Sequence, residues 1–140
     1  MKHVKGYTLA LDMTARNIQA EAKAKGMPWT ISKGADTYCP IDSQNLFTPE
    51  QIPNPHNLDL WLKVNGELRQ SGSTKDMIHS VPRLISFIST IMTLEENDVI
   101  LTGTPSGIAA VKHGDIITCG ITNYTTLTFR CVNRNTKSSL

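Results

Sequence analysis

Asp12, Arg16 and Gln19 place a carboxylate, a guanidinium and an amide within eight residues. A carboxylate oxygen suits a hard cation, and a guanidinium beside an amide suits an anionic, oxygen-rich ligand. The same spacing also lets Asp12 simply pair with Arg16 while Gln19 lies in water. Two further stretches could do chemistry. Lys33 stands just before Gly34, where backbone without a side chain lets a ligand come near. Its ammonium can then reach a carboxylate or a developing enolate, or it can lie solvated in a loop. Gly103-Thr104-Pro105-Ser106-Gly107 offers a hydroxyl and open backbone amides, which suit an oxyanion or a carboxylate; by itself it also reads as a turn.

Such groups need elements to hold them. The apolar run Tyr7-Thr8-Leu9-Ala10-Leu11 reads as a strand that ends at Asp12. Thr14 is then placed to cap a helix carrying Ala15, Ile18, Ala22 and Lys25, with Gly26 as its stop. Residues 43 to 57, with prolines at 49, 53 and 55, read as an ordered loop over the sheet. Leu58 to Val64, Asn65-Gly66 and Glu67 to Gln70 form a hairpin signal, broken after it by Ser71 to Thr74. Trp61 within that hairpin is assigned to core or interface rather than to ligand stacking. Apolar residues from Ile78 to Ile91 recur at helical spacing, with Pro82 in the first turn of a helix starting near Ser80. Val99 to Thr102 reads as a short buried strand leading to the second glycine-flanked stretch. Ile116 to Ile121 and Thr125 to Val132 read as two strands joined at Asn123-Tyr124, followed by a polar tail.

Composition narrows the classes. The chain has 140 residues, enough for one domain with a core, and a formal net charge of +2 from mixed signs without a basic block. No nucleic-acid partner is expected from that pattern, and the absence of a long apolar run argues against a membrane partner. Cys39, Cys119 and Cys131 lack metal-type spacing and read as reduced, buried or half-buried thiols. His79 is assigned a structural or surface role.

The segment Leu9-Ala-Leu-Asp-Met-Thr-Ala-Arg-Asn-Ile-Gln19 resembles the Asp-x-x-x-Arg-x-x-Gln segment of the fumarylacetoacetate hydrolase family. Gly26 to Asp36, Leu60 to Gln70 and Leu101 to Gly107 match that family's further motifs in order. The resemblance runs from Val4 to Val132 and is strongest to members that act as acylpyruvases or oxaloacetate tautomerases. It implies a mixed α/β, mainly β fold: a curled β-sheet roll with flanking helices. A partial catalytic domain would occupy residues 1–132 and a polar tail residues 133–140. It also implies a homodimer in mitochondria or cytosol, a small 2-oxo acid substrate, and Mg2+ or Mn2+ as cofactor.

Residue by residue, the resemblance makes Asp12 a metal ligand, Lys33 a catalytic and substrate-binding group, and Gln19 and Thr104 substrate-binding groups. Arg16 joins that set by orienting Asp12 or the loop. The implied reactions are acylpyruvate hydrolysis and oxaloacetate tautomerisation and decarboxylation through a metal-bound enolate. The family's Glu-x-Glu pair and its His and Glu on a mobile segment have no counterpart here, so the chain reads as the C-terminal portion of a longer protein. Two alternatives remain: a catalytically impaired module that pairs with a full-length subunit, and a dienoate diacid isomerase or hydratase of the same family. Ala35 departs from the common Gly-Phe-Asp and removes an aromatic wall at that point.

Overall fold

The computed structural model describes residues 2–133. Its centre is a four-stranded antiparallel sheet in the order β2-β1-β3-β4, from β1 (Asp59–Val64), β2 (Glu67–Ser73), β3 (Ile116–Ile121) and β4 (Thr125–Arg130). Asn65 and Gly66 take φ of 52° and 84°, the left-handed pair that a two-residue hairpin turn requires. The β1–β2 register shifts between Leu62 and Lys63, a bulge that the hairpin pattern did not announce. Strand β2 continues through Gly72 to Ser73, so Ser71 to Thr74 does not break the hairpin. The glycine is tolerated there because the residue above it is Pro105: a Cβ at Gly72 would lie 2.9 Å from the proline Cβ.

Alternation along β3 turns Ile117, Cys119 and Ile121 inward. Ile117 and Cys119 pack with Leu11, and Ile121 packs with Ile52 and Leu58. Trp61 is half-buried across from Gly120, where an added Cβ would meet its ring at 2.6 Å, consistent with a packing role.

Helix α1 (Arg16–Ala24) ends at Lys25, with Gly26 at φ 64° and the Met27 amide bonded back to the Ala22 carbonyl at 2.8 Å. That is the glycine-terminated stop expected from the sequence. The start differs: Ala15, not Thr14, is the N-cap, and no side chain caps the helix. The Ala15 amide instead donates to the carbonyl of Ser32 at 2.9 Å, tying the start of α1 to α2 (Thr30–Lys33). Helix α3 (Val81–Ile88) begins after Ser80 with Pro82 in its first turn, as the spacing predicts. The Nε2 of His56 accepts from the Val81 amide at 2.9 Å, satisfying an N-terminal donor that Ser80 leaves open.

Two strand expectations need correction. Tyr7 to Leu11 is extended but belongs to no ladder; it makes isolated bridges from Tyr7 to Phe47 and from Ala10 to Ile41. Val99 to Thr102 is likewise not a strand, and Val99 and Leu101 are 58% and 46% exposed. Among the described residues nothing pairs with the backbone of that segment, so its apolar run is not buried. The polar tail lies outside the described residues except for Asn133.

Candidate active site

The Tyr7–Leu11 run is held by what lies beneath it. Asp42 donates its amide to the Leu9 carbonyl at 2.9 Å, and its buried carboxylate accepts from Thr125 at 2.8 Å and from Asn45 Nδ2 at 3.0 Å. Asp42 also receives the amides of Gln44 and Asn45, both at 3.2 Å. Burial pushes its carboxyl up, but these hydrogen bonds outweigh burial and hold it below the ordinary carboxylate value. On either side of Asp12, the Leu11 amide donates to Pro40 at 3.0 Å and the Met13 amide to Tyr38 at 2.8 Å. The backbone is therefore fixed while the Asp12 side chain stays in solvent.

Asp12 faces Lys33. The Lys33 Nζ donates to Asp12 Oδ1 at 2.8 Å, with the side chains 32% and 48% exposed respectively. Lys33 ends α2, which is anchored by Ser32: this serine is 1% exposed and its hydroxyl donates to the Trp29 carbonyl at 2.7 Å. Arg16 departs from its expected role of orienting Asp12. Its Nη1 donates to Gln19 Oε1 at 3.1 Å, one helical turn along the same exposed face, while Lys33 satisfies Asp12.

Thr104 is held by a residue of the Leu60–Gln70 segment to which the sequence attaches no role. Gln70, 9% exposed on β2, donates Nε2 to Thr104 Oγ1 at 2.8 Å and to the Pro105 carbonyl at 2.7 Å. Gly103 and Gly107 bracket the loop at φ 113° and 97°, and a side chain at Gly107 would fall on the Arg69 carbonyl. The loop can lie flat on β2 only with glycine there. A glutamine at an inward register position of a hairpin strand was the available signal, since a buried amide must find partners.

Asp12, Arg16, Gln19, Lys33 and Thr104 all border one open cleft of about 2050 Å³, together with Gln70. Trp29 and Tyr38 border it as well, supplying aromatic surface that Ala35 does not. The cleft exceeds an ordinary small-molecule pocket, so it is a wide trough, and the Lys33–Asp12 and Gln70–Thr104 contacts are two separate contacts along it. Cys119 and Cys131 also border the cleft, whereas Cys39 does not. Cys39 is exposed, contrary to expectation, because it sits on the outer turn before Pro40; burial raises the Cys119 thiol to about 11.

As a metal site the set is incomplete. Among the described residues no three His, Cys, Asp or Glu side chains converge; Asp12 already carries an ammonium, and Glu95, Glu96 and Asp98, which also border the cleft, do not gather with it. A hard divalent cation needs several oxygen ligands, so these residues alone do not fit one.

The chain belongs to the fumarylacetoacetate hydrolase family. The family model for the fumarylacetoacetate (FAA) hydrolase C-terminal domain matches residues 1–132. Over 131 residues the chain is 55% identical to the mitochondrial oxaloacetate tautomerase FAHD1 of Bos taurus, covering 93% of this chain and 58% of that protein. It is 55% identical to the mitochondrial oxaloacetate decarboxylase of Dictyostelium discoideum, covering 90% of this chain and 57% of that protein. The crystal structure of fumarylpyruvate hydrolase from Pseudomonas aeruginosa, in complex with Mn2+ and pyruvate, superposes with a TM-score of 0.89 at 34% identity, covering 95% of this chain and 56% of that one. The chain thus spans less than two thirds of the length of these relatives.

Proposed function

We propose that the chain works in 2-oxo acid metabolism, in the tautomerisation or decarboxylation of oxaloacetate or the hydrolysis of acylpyruvates. The observation that carries this reading is the contact of Lys33 with Asp12 on a cleft that Thr104 also borders. The names of its relatives support the same chemistry.

The residues have distinct tasks. Thr104 donates its hydroxyl to a carboxylate of the bound acid, and Gln19 offers amide contacts farther along the wall. Lys33 faces the carbonyl end, and Asp12 keeps its ammonium aimed there. When the β-carboxylate leaves as CO2, the carbon–carbon bonding pair becomes an enolate whose negative oxygen lies toward Lys33. In tautomerisation the same type of anion forms when solvent water takes the C3 proton of the keto form or the hydroxyl proton of the enol, and a proton returned from water at the other atom completes the exchange. A preorganised cation lowers the barrier to either step. Mg2+ or Mn2+ is proposed as the cofactor; Asp12 would supply one oxygen ligand, and the others would have to come from outside the described residues. The Mn2+ and pyruvate held by the Pseudomonas relative support that proposal. A homodimer is proposed on the family resemblance. Mitochondrial residence follows the names of the relatives, with cytosol as the alternative.

The test follows the rate at which enol-oxaloacetate becomes the keto form, with Mg2+ present, for the wild type and Lys33→Met. The wild type should exceed the variant by about 100-fold, the scale for losing one charge-stabilising donor. Equal rates would remove Lys33 from the reaction. A second reading, a module that pairs with a fuller subunit, is favoured by the exposure of Ile91, Val99 and Ile108 at 65%, 58% and 59%. Sedimentation of the chain with and without a full-length relative separates the two.

A further inference from the structure

We propose that Gln70 is the positioning residue that makes Thr104 a hydrogen-bond donor toward the bound acid. The inference rests on the function proposed above and specifies which ligand chemistry the loop accepts. The Pro105 carbonyl can only accept, so the group 2.7 Å from it must be the Gln70 nitrogen. Turning the amide over would set two carbonyl oxygens against each other. The nitrogen's second hydrogen then goes to Thr104 Oγ1 at 2.8 Å. Since that nitrogen has no lone pair to offer, the threonine hydroxyl accepts from Gln70 and cannot donate to it. Among the described residues no other side chain or carbonyl takes the Thr104 proton, and Thr104 is exposed on the cleft.

The Thr104 proton is thereby left unused on the loop side, although one lone pair of the hydroxyl also stays open. A nearly buried amide uses both hydrogens on the loop, and the threonine proton remains for an oxygen that can accept it. Lys33, which borders the same cleft, is also donor-only, so both residues favour a ligand with acceptor oxygens, such as a carboxylate next to a carbonyl. The loop's tight seat makes the arrangement stiff, because Gly107 and Gly72 leave no space between loop and β2.

The experiment compares the wild type with Gln70→Glu, Gln70→Leu, Thr104→Val and the doubles, after matching their melting curves. The first readout needs no ligand: NMR couplings of the Thr104 side chain should show one rotamer in the wild type and averaging in Gln70→Leu. The second is pyruvate binding in the presence of Mg2+. A carboxylate in place of the Gln70 amide turns the threonine proton inward, so Gln70→Glu should weaken pyruvate about tenfold at pH 7, as Thr104→Val does. Adding Gln70→Glu to Thr104→Val should cost nothing further, and protonating the introduced carboxyl at lower pH should recover part of the loss in the single variant alone. Additive losses, or an averaged Thr104 rotamer in the wild type, would overturn the proposal. If the wild type binds no pyruvate, the functional reading fails, while the rotamer comparison still decides whether Gln70 sets Thr104.

Discussion

Asp12 and Asp42 are the same residue type, placed on either side of one extended segment, and the chain treats them in opposite ways. Asp42 is 5% exposed and receives hydrogen bonds from Thr125, Asn45 and the amides of residues 44 and 45. It welds the Tyr7–Leu11 run to β4. Asp12 lies in solvent with Lys33 as its partner, on backbone that is pinned at both neighbours. A carboxylate saturated by fixed donors has no capacity left for a ligand. One with a single exposed cation can exchange that contact for another. Burial and hydrogen-bond saturation thus separate a structural carboxylate from a functional one where composition and local spacing do not.

The largest effect should come from breaking the structural side. Asp42→Ala strands the Thr125 hydroxyl and two loop amides, and should lower unfolding free energy by about 3 kcal/mol in denaturant titration. A loss near zero would erase the distinction between the two carboxylates. Thr125→Val removes one of those donors and should cost about 1 kcal/mol by the same measurement. Asp12→Asn should stay within about 0.5 kcal/mol of the wild type in stability, because an exposed ion pair contributes little, yet it should impair turnover. An Asp12→Asn variant that unfolds would make Asp12 structural too.

Acid sharpens the contrast further. The folded-state pKa of Asp42 is depressed by its hydrogen bonds, and that of Asp115 by the Asn65 side chain and the Lys112 amide. Such groups stabilise the fold fully above their unfolded pKa, near 4, and the contribution is lost as pH falls through the lowered folded value. Melting temperature should therefore hold down to about pH 5 and fall below about pH 4. Asp42→Ala should flatten that fall. An unchanged acid limb would show that Asp42 is not its source.

Local structure was legible where one short signal decides it. Asn65-Gly66 specified its turn, Pro82 marked the first turn of α3, and Gly26 ended α1. The strand reading failed at Tyr7–Leu11 and Val99–Thr102 because an alternating or continuous apolar run describes side chains, whereas a strand also needs a neighbour for its backbone. In the site, the Asp12–Lys33 contact spans 21 positions, which no local spacing encodes; the ordered motifs of the family brought the two together. The resemblance gave Arg16 the task of orienting Asp12 or the loop, whereas its guanidinium meets Gln19 one turn along the helix. Gln70 went unassigned because its inward register position signals a buried amide without naming the partner, and Thr104 and Pro105 lie more than thirty positions away.

The most direct test of the account is an NMR titration of the labelled chain with oxalate, an enolate mimic, in the presence of Mg2+. Resonances of Asp12, Lys33 and Thr104 should move together along one binding curve, while those of Asp42 and Thr125 stay still. A folded chain in which none of the first three responds, or in which the buried pair moves as much as they do, would contradict the placement of the site.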